Sequence, residues 1–212
     1  MRKIGTIAVA LVATTGALGG TAQAAGHEDT TRRPVVDVTQ QTDGLTARLQ
    51  IALDRQADGS PPSLTEAQRR ELATIGAENE GGVGLAAAKA KGPATLRCDK
   101  NPHWSDAKGR LDMRFNCHHN TINWGYRISA KLRSVITGAV AERGASWWKN
   151  GKHMPKNAPH TVGKSYHFHG TFKPVKHGNH VQSQDHMKFR VNVGGQTGTG
   201  TLTWTSNVKT KK

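Results

Sequence analysis

The chain of 212 residues carries 30 Lys and Arg against 15 Asp and Glu, a formal net charge of +15. That excess points to partners of negative charge. It leaves acids too sparse for catalysis by paired carboxylates, and past the N-terminus no run is apolar and long enough to span a bilayer.

Residues 1–24 read as an export signal. Arg2 and Lys3 precede an apolar, small-residue run from Ile4 to Gly20, and Ala22-Gln23-Ala24 fits a signal-peptidase site. The expectation is Sec-type bacterial export of an extracellular protein with no transmembrane segment. Cys98 and Cys117 are the only cysteines. In an exported chain they are expected to form one disulfide. Closing a loop of that length stabilises a fold by roughly 3 kcal/mol.

Residues 25–92 read as a pro-segment and linker with two short helices. Leu45, Leu49, Ala52 and Leu53 have helical spacing. Ser63-Leu64-Thr65-Glu66 after Pro61-Pro62 has the form of a capping box, with Leu64, Leu72 and Ile75 as a thin apolar stripe. Gly81 to Gly92 is rich in Gly, Ala and Lys, as linkers are. So few large apolar residues cannot bury a core of their own. The segment is expected to dock on the rest of the chain, to be cut away, or to form a loose stalk.

From residue 93 onward there are 20 Lys and Arg against five acids, whereas residues 1–92 are balanced at 10 and 10. The period there is two. Leu111, Met113, Phe115 and Cys117 alternate with Arg110, Asp112, Arg114, Asn116 and His118. Ile122, Trp124, Tyr126 and Ile128 alternate with Asn123, Arg127, Ser129 and Lys131. Asp106 to Gly109 and His118 to Asn120 read as turns, and Ala94 to Cys98 as a short strand beside that of Cys117. Leu132 to Ala141 fits a helical stripe and a strand alike, with a change of direction near Arg133. Lys164–Lys173, Asp185–Val193 and Thr199–Val208 complete about seven strands. The expected fold is mainly β, an antiparallel β-sandwich or small barrel with one disulfide.

The polar sides of these strands collect Arg110, Arg114, Arg127, Lys131, Lys173, Lys188 and Arg190, with His167, His169 and His186 among them. Such a single-sign surface suits an anionic polymer or surface: a cell-wall polymer, an acidic polysaccharide, an anionic lipid or a nucleic acid. The segment Trp147-Trp148-Lys149-Asn150-Gly151-Lys152 runs on through Lys156 to Lys164 without an acid. Adjacent tryptophans on an extended chain point opposite ways, so one is expected in the core and one at the surface. Asn150-Gly151 is a hairpin-turn pair. Thr197, Thr199, Thr201, Thr203 and Thr205 form a threonine row.

The histidines admit three readings. His167 and His169, two apart on a strand, offer the metal reading, a Zn or Cu ion; otherwise no cofactor is expected. His119-Asn120-Thr121-Ile122 and His169-Gly170-Thr171-Phe172 are both His-x-Thr-apolar, a duplication similar to the paired signature of the two-histidine phosphoesterases. The resemblance covers these eight residues and implies an acid–base histidine pair, His119 and His169, with Thr121 and Thr171 holding phosphate. In the third reading the histidines are part of the basic face and add charge as pH falls. The sequence thus points to a secreted cationic β-domain that binds a polyanion. The alternatives are a His-dependent phosphodiesterase or ribonuclease, and an inhibitor or toxin with an acidic protein target.

Overall fold

A computed structural model describes residues 34–42, 44–76, 92–142, 144–155 and 166–212. The export signal, most of the 81–92 linker and Lys156 lie outside the described residues. The elements in chain order are β1 (Val36–Thr42), β2 (Leu45–Leu53), α1 (Glu66–Gly76), β3 (Ala94–Arg97), β4 (His103–Ser105), β5 (Gly109–Asn116) and β6 (Thr121–Ile128). They continue with α2 (Ala130–Val135), β7 (Ile136–Glu142), β8 (Ser146–Lys149), β9 (Lys152–Met154), β10 (His167–Phe172), β11 (His180–Val193) and β12 (Gln196–Lys211). The fold is mainly β, in two sheets rather than a closed barrel.

Sheet A has the order β1-β2-β12-β11-β8-β9. β12 takes β2 antiparallel along one half of its outer edge and β3 parallel along the other. β11 likewise takes β7 and β8 in succession. Sheet B has the order β10-β6-β5-β4, all antiparallel. The long β11–β12 hairpin closes at Gly194-Gly195, both at positive φ (55° and 92°), as a two-residue turn between right-twisted strands requires. The strands here extend further than the sequence suggested.

The sheets face one another across a core of indoles and phenyl rings. Trp204 of sheet A is fully buried, its ring 5.2 Å from Trp124 and 6.1 Å from Tyr126 of sheet B. Leu49, Ile51, Met187 and Leu202 meet Leu111, Met113, Phe115 and Ile122 in the same cluster. The outward faces of the two sheets therefore look in opposite directions.

The Cys98–Cys117 disulfide is formed. Cys98 follows β3, which belongs to sheet A, and bridges to Phe115 on β5 of sheet B. The bond thus ties the two sheets at one end. Ile128 ends β6, and Ser129 caps α2 by accepting from Leu132 N at 3.1 Å. The change of direction expected near Arg133 is made by this short helix, and β7 follows it.

Two readings of the N-terminal segment are corrected. Leu45–Leu53 is a strand, not a helix. Leu45, Ala47, Leu49, Ile51 and Leu53 all point into the core, and the strand is hydrogen-bonded to β12. The boundary drawn at residue 92 on charge is therefore no boundary in the sheet. The second helix is present as α1, but its capping box lies two residues further on. Thr65 N donates to Gln68 Oε1 at 2.8 Å, and Gln68 N to Thr65 Oγ1 at 3.3 Å. Leu72 and Ile75 of α1 are buried in the common core. Gln68 also donates to the Val193 and Gly194 carbonyls, docking the helix on the β11–β12 turn.

A buried ion pair reinforces this union. Lys108, fully buried, lies 3.1 Å from Asp106 Oδ2 and donates to Gln40 Oε1 of β1 at 3.1 Å. Asp106 Oδ1 accepts from Lys108 N and Gly109 N, which shapes the β4–β5 turn. The Tyr126 hydroxyl lies in the same interior, and burial pushes its pKa well up, with the Asp106 charge adding to the effect.

Candidate functional site

The outward face of sheet B is built by period-two alternation. On β5, Arg110, Asp112, Arg114 and Asn116 point out; on β6, Thr121, Asn123 and Arg127; on β10, His167, His169 and Thr171. The register sets them in rows. His167 lies opposite Arg127, and Arg127 opposite Arg110. His169 lies opposite Gly125, Gly125 opposite Asp112, and Asp112 opposite His103 of β4. Thr171, Asn123 and Arg114 form the third row. Neighbouring strands are about 4.8 Å apart, so the two rows of three span about 10 Å and the row of four about 14 Å.

Gly125 shapes the centre of this face. A Cβ there would meet His167 Nε2 at 3.0 Å. The absence of a side chain lets the His167 ring lie down toward His169, 6.1 Å away between centroids and edge-on. Partial burial lowers the His167 pKa first. The Arg127 and His169 charges lower it further, and Asp112 opposes them. Arg110 makes a close double contact with Asp112 (Nη2 at 2.7 Å, Nε at 2.9 Å). Arg114 reaches Asp99 at 3.4 Å, and Thr171 donates to Asn123 at 3.0 Å.

Arg110, Arg114, Arg127, His167 and His169 are thus brought together. Lys173 is exposed just past the end of β10, and Lys131 is exposed on α2, off the sheet. His186, Lys188 and Arg190 are not on this face. They lie on β11 in sheet A and point outward on the opposite side of the sandwich. The single basic face read from the strand patterns is in fact two, because alternation gives the side of a strand but not the sheet it joins. His103, at the end of the Asp112 row, escaped the sequence reading. β4 is three residues long, too short to show a period.

The tryptophan segment is a hairpin of β8 and β9. It turns at Asn150-Gly151, both at positive φ (50° and 81°). Trp147 is buried, with Nε1 donating to Pro155 O at 2.8 Å; Trp148 is half-exposed beside His153. Lys152 is exposed at the hairpin tip, whereas Lys149 Nζ donates to Pro174 O at 3.1 Å.

The structure does not join the two His-x-Thr segments into one site. His119 is exposed in the β5–β6 turn, before Thr121. His169 lies opposite Gly125, which is four residues, about 13 Å, past Thr121 along β6. An acid–base pair acting on one phosphoester needs both groups within hydrogen-bond reach of it. The metal reading fares no better. Among the described residues, the group with ligand atoms converging within 4.8 Å is Cys98, Asp99, Cys117 and His118, whose sulfurs form the disulfide. Among the described residues, no such group includes His167 or His169.

Comparison of the chain with protein families, with curated proteins and with solved structures finds no match.

Proposed function

We propose that the protein is exported and binds an extracellular polyanion on the outward face of sheet B. Arg110, Arg114 and Arg127 supply permanent charge, His167 supplies charge that depends on pH, and His169 lies beside it. The observation that carries the reading is the register of Arg110 opposite Arg127, with His167 on the far side of Arg127. Like charges directly opposite on paired strands destabilise a sheet. Asp112 partners Arg110 and leaves the row with a net positive field. Bound anionic groups relieve that repulsion, and a row of about 10 Å suits a flexible chain bearing successive phosphate, sulfate or carboxylate groups. The disulfide favours an oxidising compartment. Among the described residues no helix is long and apolar enough to cross a membrane.

The test is a titration of the full chain with inorganic polyphosphate, a sulfated polysaccharide, single-stranded RNA and vesicles of anionic lipid, each at low and at physiological salt. The expected result is saturable binding to at least one, weakened steeply by salt as displaced counterions return. Binding that ignores salt, or no binding to any of them, contradicts the proposal.

A further inference from the structure

One end of the outward face of sheet A is chemically different from everything described so far. A cleft of about 530 Å³ opens there, and no charged side chain of the described residues lines it. Two rows of the register form its floor. Trp148 on β8, Gln182 on β11 and Asn207 on β12 stand side by side. Two positions along the strands, Gln184, Thr205 and Thr46 form the next row. The footprint is about 10 Å across three strands and about 7 Å along them. The volume is that of a small-ligand site.

Protein partners hold several of these groups in place. Gln184 Nε2 donates to His186 Nε2 at 3.0 Å, and His186 Nδ1 is 2.9 Å from Thr203 Oγ1. Asn207 Oδ1 is hydrogen-bonded to His180 Nε2. His180 N in turn donates to Asn150 Oδ1 at 2.8 Å, which locks the β8–β9 turn to β11. Trp148 is flanked by His153, ring centroids 5.2 Å apart, and remains half-exposed.

This donor set selects a ligand class. Amides and hydroxyls both donate and accept, as the hydroxyls of a sugar do. An indole face covers the C–H side of a sugar ring. A phosphate or sulfate finds no cation among the described residues of the lining, and an apolar ligand would strip water from the amides without replacing their hydrogen bonds. We propose that this cleft binds a neutral saccharide, with Trp148 as the stacking platform and Gln182, Gln184 and Asn207 reading its hydroxyls. The site faces away from the arginines of sheet B and does not rest on the polyanion reading.

The full chain is titrated by calorimetry with neutral trisaccharides of glucose, N-acetylglucosamine, galactose and mannose. At least one binds saturably, with an affinity indifferent to salt. Gln182→Ala and Trp148→Ala each weaken it at least ~10-fold, because each removes a contact that the ligand has exchanged for water. Arg110→Gln/Arg127→Gln leaves it unchanged. If Trp148→Ala fails to fold, Trp148→Phe, which keeps a ring, gives a smaller loss of the same kind alongside Gln182→Ala. No saturable binding to any of the four sugars overturns the proposal. So does binding that survives Gln182→Ala together with Trp148→Ala or Trp148→Phe.

Discussion

The two outward faces of the sandwich share one core and differ in how they hold charge. On sheet B, Arg110 and Arg127 stand directly opposite, with His167 completing the row. On sheet A, the cations are kept apart. Arg48 is paired with Asp37 at 2.8 Å, while Lys188 and Arg190 stand opposite Thr201 and Thr199. At the other end of sheet A the described residues lining the cleft include amides, hydroxyls, small residues and Trp148, none of them charged. A solvated basic sheet ordinarily interposes neutral or acidic residues, as sheet A does. Sheet B concentrates the repulsion, and the proposal of an anionic partner rests on that contrast.

The largest expected effect concerns what keeps the faces together. Deleting residues 34–53 removes β1 and β2, takes five core side chains of β2 with them and exposes half an edge of β12. The shortened chain is expected to lose its cooperative unfolding transition in urea. A sharp transition at the parent midpoint would show that the hairpin is dispensable, as a removable pro-segment would be. Next comes Asp106→Ala. It strands the Lys108 charge in the interior and is expected to destabilise the protein by about 3–5 kcal/mol. A loss below about 1 kcal/mol in urea unfolding would mean that the pair is not buried as described.

Arg127→Gln separates stability from binding. Relieving the Arg110 and His167 repulsion is expected to raise stability by up to about 1 kcal/mol, read by thermal or urea unfolding. The same change weakens polyanion binding. Lower stability together with unchanged binding would assign Arg127 a purely structural role. The smallest effect is that of pH. His167 is held below the ordinary histidine value, so the folded protein takes up this proton later than the unfolded chain as pH falls. Above the ordinary value both states are neutral and the residue contributes nothing. Through the window from there down to the lowered pKa, stability declines. A bound anion favours the protonated ring, so affinity rises as pH falls through the same window. NMR titration of His167 should show its pKa move up in Arg127→Gln, and polyanion binding by His167→Gln should depend less on pH.

Much of sheet B was legible in the sequence. Arg110 to His118 and Thr121 to Ile128 alternate without interruption, and β5 and β6 follow. The split fates of Trp147 and Trp148 and the Asn150-Gly151 turn are equally local consequences of extended backbone. β2 was misread because Leu45, Leu49, Ala52 and Leu53 fit a helical period when Ala47 and Ile51 are ignored. With them, alternation runs unbroken from Leu45 to Leu53. What no local pattern encodes is sheet membership. The cations of β11 have the same alternation as those of β5, and only long-range pairing puts them on the opposite side. The cleft was illegible for the same reason, since its rows are drawn from strands as far apart in sequence as β2 and β12.

The most direct test of the central claim removes two charges from one face at a time. Arg110→Gln/Arg127→Gln and Lys188→Gln/Arg190→Gln change the net charge equally. Their binding to the polyanion preferred by the parent is measured across a salt series. The sheet B variant is expected to bind more weakly, with a salt slope reduced by about two, whereas the sheet A variant keeps the parent slope. Equal losses from both variants would contradict the claim and reduce the binding to net charge alone.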